Sequence, residues 1–173
     1  MAKKRVVFSC QPASSPAPPT APVALTVYVF TTTDCPISNR YAPEIKRLAA
    51  RFSQQARFVL VYPVPTDTDS KIAEHRKKFG YQMPFQVDRS QALVKETGVT
   101  VTPEVAVVRG TQVLYRGRID DRFVEFGKER VKPTHRDLEL ALIAGDQVGG
   151  EKVSHRRDPG LVLNAAAYDA RTA

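Results

Sequence analysis

Cys35 is the residue of this chain whose setting points most directly to chemistry. It stands in Thr31-Thr32-Thr33-Asp34-Cys35-Pro36-Ile37-Ser38-Asn39-Arg40, after an apolar run and before a segment with apolar residues at helical spacing. A side chain at such a strand-to-helix junction meets unpaired backbone N–H groups and the positive end of the helix dipole, which favour an anion. A thiolate is that anion, and the thiolate is the form that attacks disulfides and peroxides. Pro36 suits the junction, because the first helical position needs no donor. A lone cysteine is more often a small buried apolar residue; the strand–Cys-Pro–helix order argues instead for an accessible, reactive thiol. Ser38 is placed to donate its hydroxyl to the sulfur, but it is not the second thiol that would resolve a mixed disulfide. A second feature is Thr102-Pro103, ahead of the apolar run of residues 105–108. Proline is tolerated at the mouth of a strand, and an X-Pro bond is the one place where a cis peptide is cheap. We expect a cis bond there, lying beside Cys35.

The elements that must position these residues follow from periodicity. Residues 23–30 are almost continuously apolar, as a central buried strand requires. After the Cys-Pro turn, Ala42, Ile45, Leu48, Ala49 and Phe52 recur at steps of three and four opposite Lys46, Arg47 and Arg51, which predicts an amphipathic helix restarted near Pro43. Residues 57–63 form a second buried strand, parallel to the first by the crossover rule. Residues 66–70 offer an N-cap to a charged helix over 71–79, stopped by Gly80. A short strand over 83–88 and a helix over 90–97 come next. Residues 104–108 and 113–117 form an antiparallel hairpin, and Thr134 caps a last helix over 136–144.

The chain has 173 residues, 42% hydrophobic and 25% charged, with 26 Lys plus Arg against 18 Asp plus Glu. That composition is globular in class. The +8 charge is spread along the chain without an arginine motif interleaved with aromatics, so nucleic-acid binding is not indicated. Lys3-Lys4-Arg5 followed by Val6-Val7-Phe8-Ser9-Cys10 has too short an apolar stretch for a secretory signal, and no run reaches the ~18 apolar residues of a membrane helix. Residues 11–22, rich in Pro, Ala and Ser, read as an extended tether. The expected organisation is a disordered tether over 1–22, a folded domain over 23–145 and a loosely ordered tail over 146–173.

Thr33-Asp34-Cys35-Pro36-Ile37-Ser38-Asn39 followed by Tyr41-Ala42-Pro43-Glu44-Ile45, with Val101-Thr102-Pro103-Glu104-Val105 and Tyr115-Arg116-Gly117-Arg118-Ile119-Asp120-Asp121, resembles the thioredoxin-like redoxins of the AhpC/TSA and TlpA-like branch. The resemblance implies an α/β thioredoxin-like fold with a central mixed sheet flanked by helices, and residues 83–97 as the strand–helix insert of redoxins. It implies a thiol–disulfide oxidoreductase with Cys35 and Ser38 at the active site and Thr102 and Pro103 binding an extended substrate. The partners would be a thiol or disulfide protein and an external reducing thiol. A one-cysteine peroxidase acting on a hydroperoxide is the alternative; Thr32 would orient the oxygen, although Tyr28 stands where the peroxidatic pattern has proline. The third reading is a binding module that keeps the fold without turnover. Val7-Phe8-Ser9-Cys10 resembles the end of a bacterial lipoprotein signal, which would lipidate Cys10 and place the domain in the cell envelope or periplasm; without that, the cytoplasm is expected. No cofactor and no metal site are called for, since His75, His135 and His155 are scattered among charges and read as solvated surface residues.

Overall fold

The computed structural model describes residues 25–125, 128–145, 153–154 and 161–162. Cys10, the tether over 1–22 and most of 146–173 lie outside the described residues. Strand β1 (Leu25–Phe30) runs into the Cys-Pro turn, and two helices follow, α1 (Pro36–Arg40) and α2 (Ala42–Arg51). Then come β2 (Ala56–Tyr62), α3 (Asp69–Phe79), β3 (Phe85–Val87), α4 (Ala92–Thr97), β4 (Val101–Thr102), β5 (Glu104–Arg109) and β6 (Gln112–Gly117). The remaining elements are β7 (Phe123–Glu125), β8 (Lys128–Glu129), α5 (Asp137–Gly145), β9 (Val153–Ser154) and β10 (Leu161–Val162). The main sheet has the order β3-β2-β1-β5-β6-β9. β1 pairs in parallel with β2 and antiparallel with β5, so the strand that delivers Cys35 is central.

Strand periodicity divides the core into two layers. Leu25, Val27 and Val29 of β1 join Phe58, Leu60 and Tyr62 of β2 in a cluster completed by Ile45, Leu48, Leu138 and Leu142. On the opposite face Phe30, Val61, Ala106 and Val108 pack with Val94 and Val99. The helix after Cys35 breaks at Tyr41, and Pro43 falls in the first turn of α2, where its missing N–H costs nothing. Tyr41 is fully buried and its hydroxyl donates to Asp120 Oδ1 at 2.6 Å, which ties the break to the turn after β6. Burial pushes the Asp120 carboxyl above the usual carboxylate range.

Thr68 caps α3, accepting from the Lys71 N–H, and Gly80 ends it with φ 64°. Helix α4 begins at Ala92 rather than Ser90, because the buried Asp88 carboxylate accepts from the N–H groups of Ala92 and Val94. Thr134 does not cap α5. Its hydroxyl donates to Asp121, whose carboxylate also accepts from the Thr134 and His135 N–H groups, and the helix starts at Asp137. Asp137 pairs with Arg118 at 2.6 Å, and Glu139 gathers Arg47 and Arg51 of α2. The hairpin β7–β8 has no counterpart in the sequence reading, since its strands are too short to carry a pattern. Among the described residues no helix is long and apolar enough to cross a membrane. Within residues 146–173, β9 extends the main sheet beside β6, and β10 pairs antiparallel with β4.

Leu60 is fully buried at the centre of β2, so Leu60→Ala should lower unfolding stability by about 2–5 kcal/mol, the usual cost of a methyl-lined core cavity. Urea unfolding of the two chains measures it. A loss well under 1 kcal/mol would contradict the packing assigned to the layer between the sheet and α2.

Candidate functional site

Cys35 is the N-cap of α1, with extended backbone at φ −83° and ψ 112°. Its N–H closes a turn onto the Thr32 carbonyl at 3.4 Å. The sulfur accepts from the Ser38 N–H at 3.5 Å, and the thiol donates to the Thr102 carbonyl at 3.7 Å. Two expectations need correcting. Cys35 is only 7% exposed, buried with the core cluster below the sheet and with its thiol against the Thr102 carbonyl. The partner that Ser38 offers is its backbone N–H; its hydroxyl is buried with no partner among the described residues. Thr32 is also buried, and it is its carbonyl that engages Cys35.

The Thr102–Pro103 peptide bond is cis. The residue before it is the one whose carbonyl meets the sulfur. The approach to this bond is held by Glu104, 5% exposed, whose Oε2 accepts from the N–H groups of Thr100 at 2.7 Å and Val101 at 3.3 Å. Gly98, with φ 71°, turns the chain out of α4, and Arg116 donates to its carbonyl at 2.6 Å. A side chain at Gly98 would need that left-handed backbone and would meet the Arg116 guanidinium at 2.5 Å.

The loop before Cys35 is fixed by a chain of buried polar groups that the sequence reading missed. Asp67, fully buried, accepts from the Thr33 N–H at 3.3 Å and from its hydroxyl at 2.5 Å. Asn39 donates through Nδ2 to the Thr33 carbonyl at 3.2 Å, which leaves Oδ1 facing His75 Nε2 at 2.7 Å. Nε2 therefore carries the ring proton. Tyr62 in turn donates to Nδ1 at 2.9 Å. His75 is thus no solvated surface residue; it is 3% exposed and packs against Tyr62, Phe79 and Tyr81. The neutral ring satisfies both neighbours, and burial pulls its pKa below the ordinary histidine value, with Asp67 partly opposing. Ile72, His75 and Phe79 share a face at steps of three and four, and that spacing is the signal that would have placed His75 inward.

A polar pocket of about 250 Å³ opens beside this loop, lined by Thr33, Asp34, Asn39, Lys71, Glu74 and His75 among others. Cys35 is not in its wall. The sulfur faces backbone, which suits the attack of a thiolate on a chain held in extended form. Among the described residues no three His, Cys, Asp or Glu side chains gather as metal ligands.

The thioredoxin-like family model matches residues 24–112, just over half of the chain. No curated protein matches the chain. Solved structures with a similar fold include a hypothetical protein of Sinorhizobium meliloti 1021, 24% identical, covering 82% of this chain and 80% of that one with a TM-score of 0.64. An uncharacterised conserved protein of Geobacillus kaustophilus is 23% identical, with 76% and 74% covered and a TM-score of 0.58. A putative thiol:disulfide interchange protein DsbE of Chlorobium tepidum is 13% identical, with 71% and 80% covered and a TM-score of 0.54. These likenesses carry the fold.

The buried His75 makes stability depend on pH with a definite sign. Its folded pKa is depressed, so near the unfolded value of about 6.5 the unfolded chain binds more protons than the native one. The contribution is therefore complete above about 6.5 and declines as pH falls below it. The urea midpoint should drop between about pH 7 and about pH 5, and more steeply for the wild type than for His75→Gln. Parallel profiles for the two chains would contradict a neutral, buried ring.

Proposed function

The chain belongs to the thioredoxin-like family, and on that premise we propose that it is a thiol–disulfide oxidoreductase-type redoxin with Cys35 as its single active-site cysteine. The observation that supports this reading is the Cys35 sulfur 3.7 Å from the carbonyl of Thr102, beside a cis proline and on a strand edge. An extended chain laid along Val101 and Thr102 would bring its own disulfide to that sulfur. The Cys35 thiolate attacks one sulfur of the partner disulfide, the S–S bond breaks, and the other sulfur leaves as a thiolate. An external thiolate then attacks the partner's sulfur in the mixed disulfide, forming an S–S bond to the partner and releasing Cys35 as its thiolate. Ser38 holds the sulfur through its N–H, and it has no thiol to resolve the adduct.

The low exposure of Cys35 favours one second reading, a one-cysteine peroxidase, because a small hydroperoxide reaches a 7% exposed sulfur more easily than a folded partner does. Cys35 would then take the distal oxygen as a sulfenic acid and release an alcohol or water. In either reading residues 23–145 form the redox domain. Residues 1–22 would tether it to the cell envelope through a lipidated Cys10.

With no resolving thiol in the motif, wild-type protein should trap an oxidised partner as a lasting mixed disulfide, visible on non-reducing gels and lost in Cys35→Ser. Ser38→Cys should shorten that adduct's life by on the order of tenfold or more, since a thiol in the same chain acts at millimolar effective concentration. The buried Ser38 hydroxyl has no partner among the described residues, so the substitution breaks no hydrogen bond there. No adduct with disulfides, alongside a sulfenic acid formed under dilute peroxide, would transfer the assignment to the peroxidase. Neither product would leave only a binding module.

A further inference from the structure

The edge that would receive a substrate chain already has an occupant. β4 lies outside the main sheet, and its described pairing is with β10, antiparallel, with Leu161 opposite Thr102 and Val162 opposite Val101. Thr102 is the residue whose carbonyl accepts from Cys35, so the pairing falls on the residue that meets the sulfur and on its neighbour Val101. Adding a strand to an exposed edge is the general way in which an extended peptide is held. Here a segment some sixty residues along the same chain holds that place. The path to it is marked by β9, which pairs in parallel with Tyr115 and Arg116 of β6 and returns the chain to the sheet before β10.

We propose that β10 is an internal competitor, a strand that occupies the substrate edge of β4 and must leave before a partner chain can be aligned with Cys35. This inference rests on the oxidoreductase reading for the identity of the competitor's rival, a disulfide-bearing chain in extended form. It does not rest on it for the cover itself. The 7% exposure of Cys35 accords with a covered site. A ladder of two residues is weak, because isolated two-stranded pairings are marginal in water. β10 is therefore displaceable, and the closed state sets a threshold for partners without abolishing reaction. The rest of the β4 approach is not free to move with it. Glu104 holds Thr100 and Val101 by their N–H groups, and Arg116 holds Gly98, so the edge keeps its form when β10 departs.

The test uses the full chain in a Cys10→Ser background, comparing it with the same chain carrying Leu161→Pro. Proline removes a backbone donor and is unwelcome within a paired strand. Two probes are applied to each: iodoacetamide, which reports access to Cys35 alone, and a synthetic peptide closed by its own disulfide, which reports adduct formation. Loss of β10 pairing should raise both rates about tenfold, the factor that one or two net backbone hydrogen bonds control. Equal rates in both chains, with adducts forming in each, would overturn the competitor and leave the oxidoreductase reading intact. Faster alkylation without peptide adducts in either chain would sustain the cover and sink the oxidoreductase reading. Hydrogen exchange on the unaltered chain gives a reading independent of how the proline variant folds. Amides at 161–162 should be protected relative to an unstructured peptide, and should lose that protection when Cys35 carries the peptide. Exchange at the unstructured rate in the free protein would overturn the proposal.

Discussion

The loop that carries Cys35 depends on a carboxylate that has no contact with solvent. Asp67 stands between β2 and α3, and its two oxygens receive the backbone and the hydroxyl of Thr33, two residues before Cys35. A carboxylate stripped of water is tolerable only where donors replace its hydration, so the Thr33 conformation and the Asp67 burial require one another. Asn39 then takes the Thr33 carbonyl, and the first turn of α1 is thereby joined to the loop that precedes it. Cys35 lies between two such anchors, one on each side in sequence. Its position is consequently set by polar groups of β2 and α3 as much as by its own helix.

The same logic runs on the other side of the sulfur. Glu104 follows the cis proline and turns back to bind the N–H groups of Thr100 and Val101, so the backbone that meets Cys35 is built around a second buried carboxylate. The break at Tyr41 supplies the third fixed point. Its hydroxyl on Asp120 and its ring edge-on to Phe123 at 5.1 Å keep α1 a separate short helix. Five residues would be marginal as a helix in isolation. Held at both ends, they are a rigid mount.

What could be read from the sequence is what repeats or what only one residue type can do. The apolar run into the Cys-Pro turn, the helical spacing of Ala42, Ile45, Leu48 and Phe52, and the proline at the mouth of β5 each carry their reason locally, and the strands, α2 and the meeting of Cys35 with Thr102 followed from them. The buried polar network did not, because Asp67, Asn39 and His75 look like loop and surface residues until three elements are brought together. Thr134 misled for a related reason, since a hydroxyl before a helix suits a cap and suits a neighbouring carboxylate equally well. β4 and β10 are two residues each, shorter than any period, and only the returning chain makes them a pair.

That pair has a consequence for selection among partners. A strand tethered in the same molecule faces its edge at an effective concentration on the order of millimolar, well above that of most free proteins. A passing peptide that offers only backbone hydrogen bonds therefore loses the contest on mass action. On the proposed reading, a peptide that also exchanged its disulfide with Cys35 would add an S–S bond to those backbone contacts, and so would hold the edge at a lower concentration than backbone pairing alone allows. Under that proposal the contest at β4 would favour partner chains by the reactivity of their disulfide as well as by their fit to the edge.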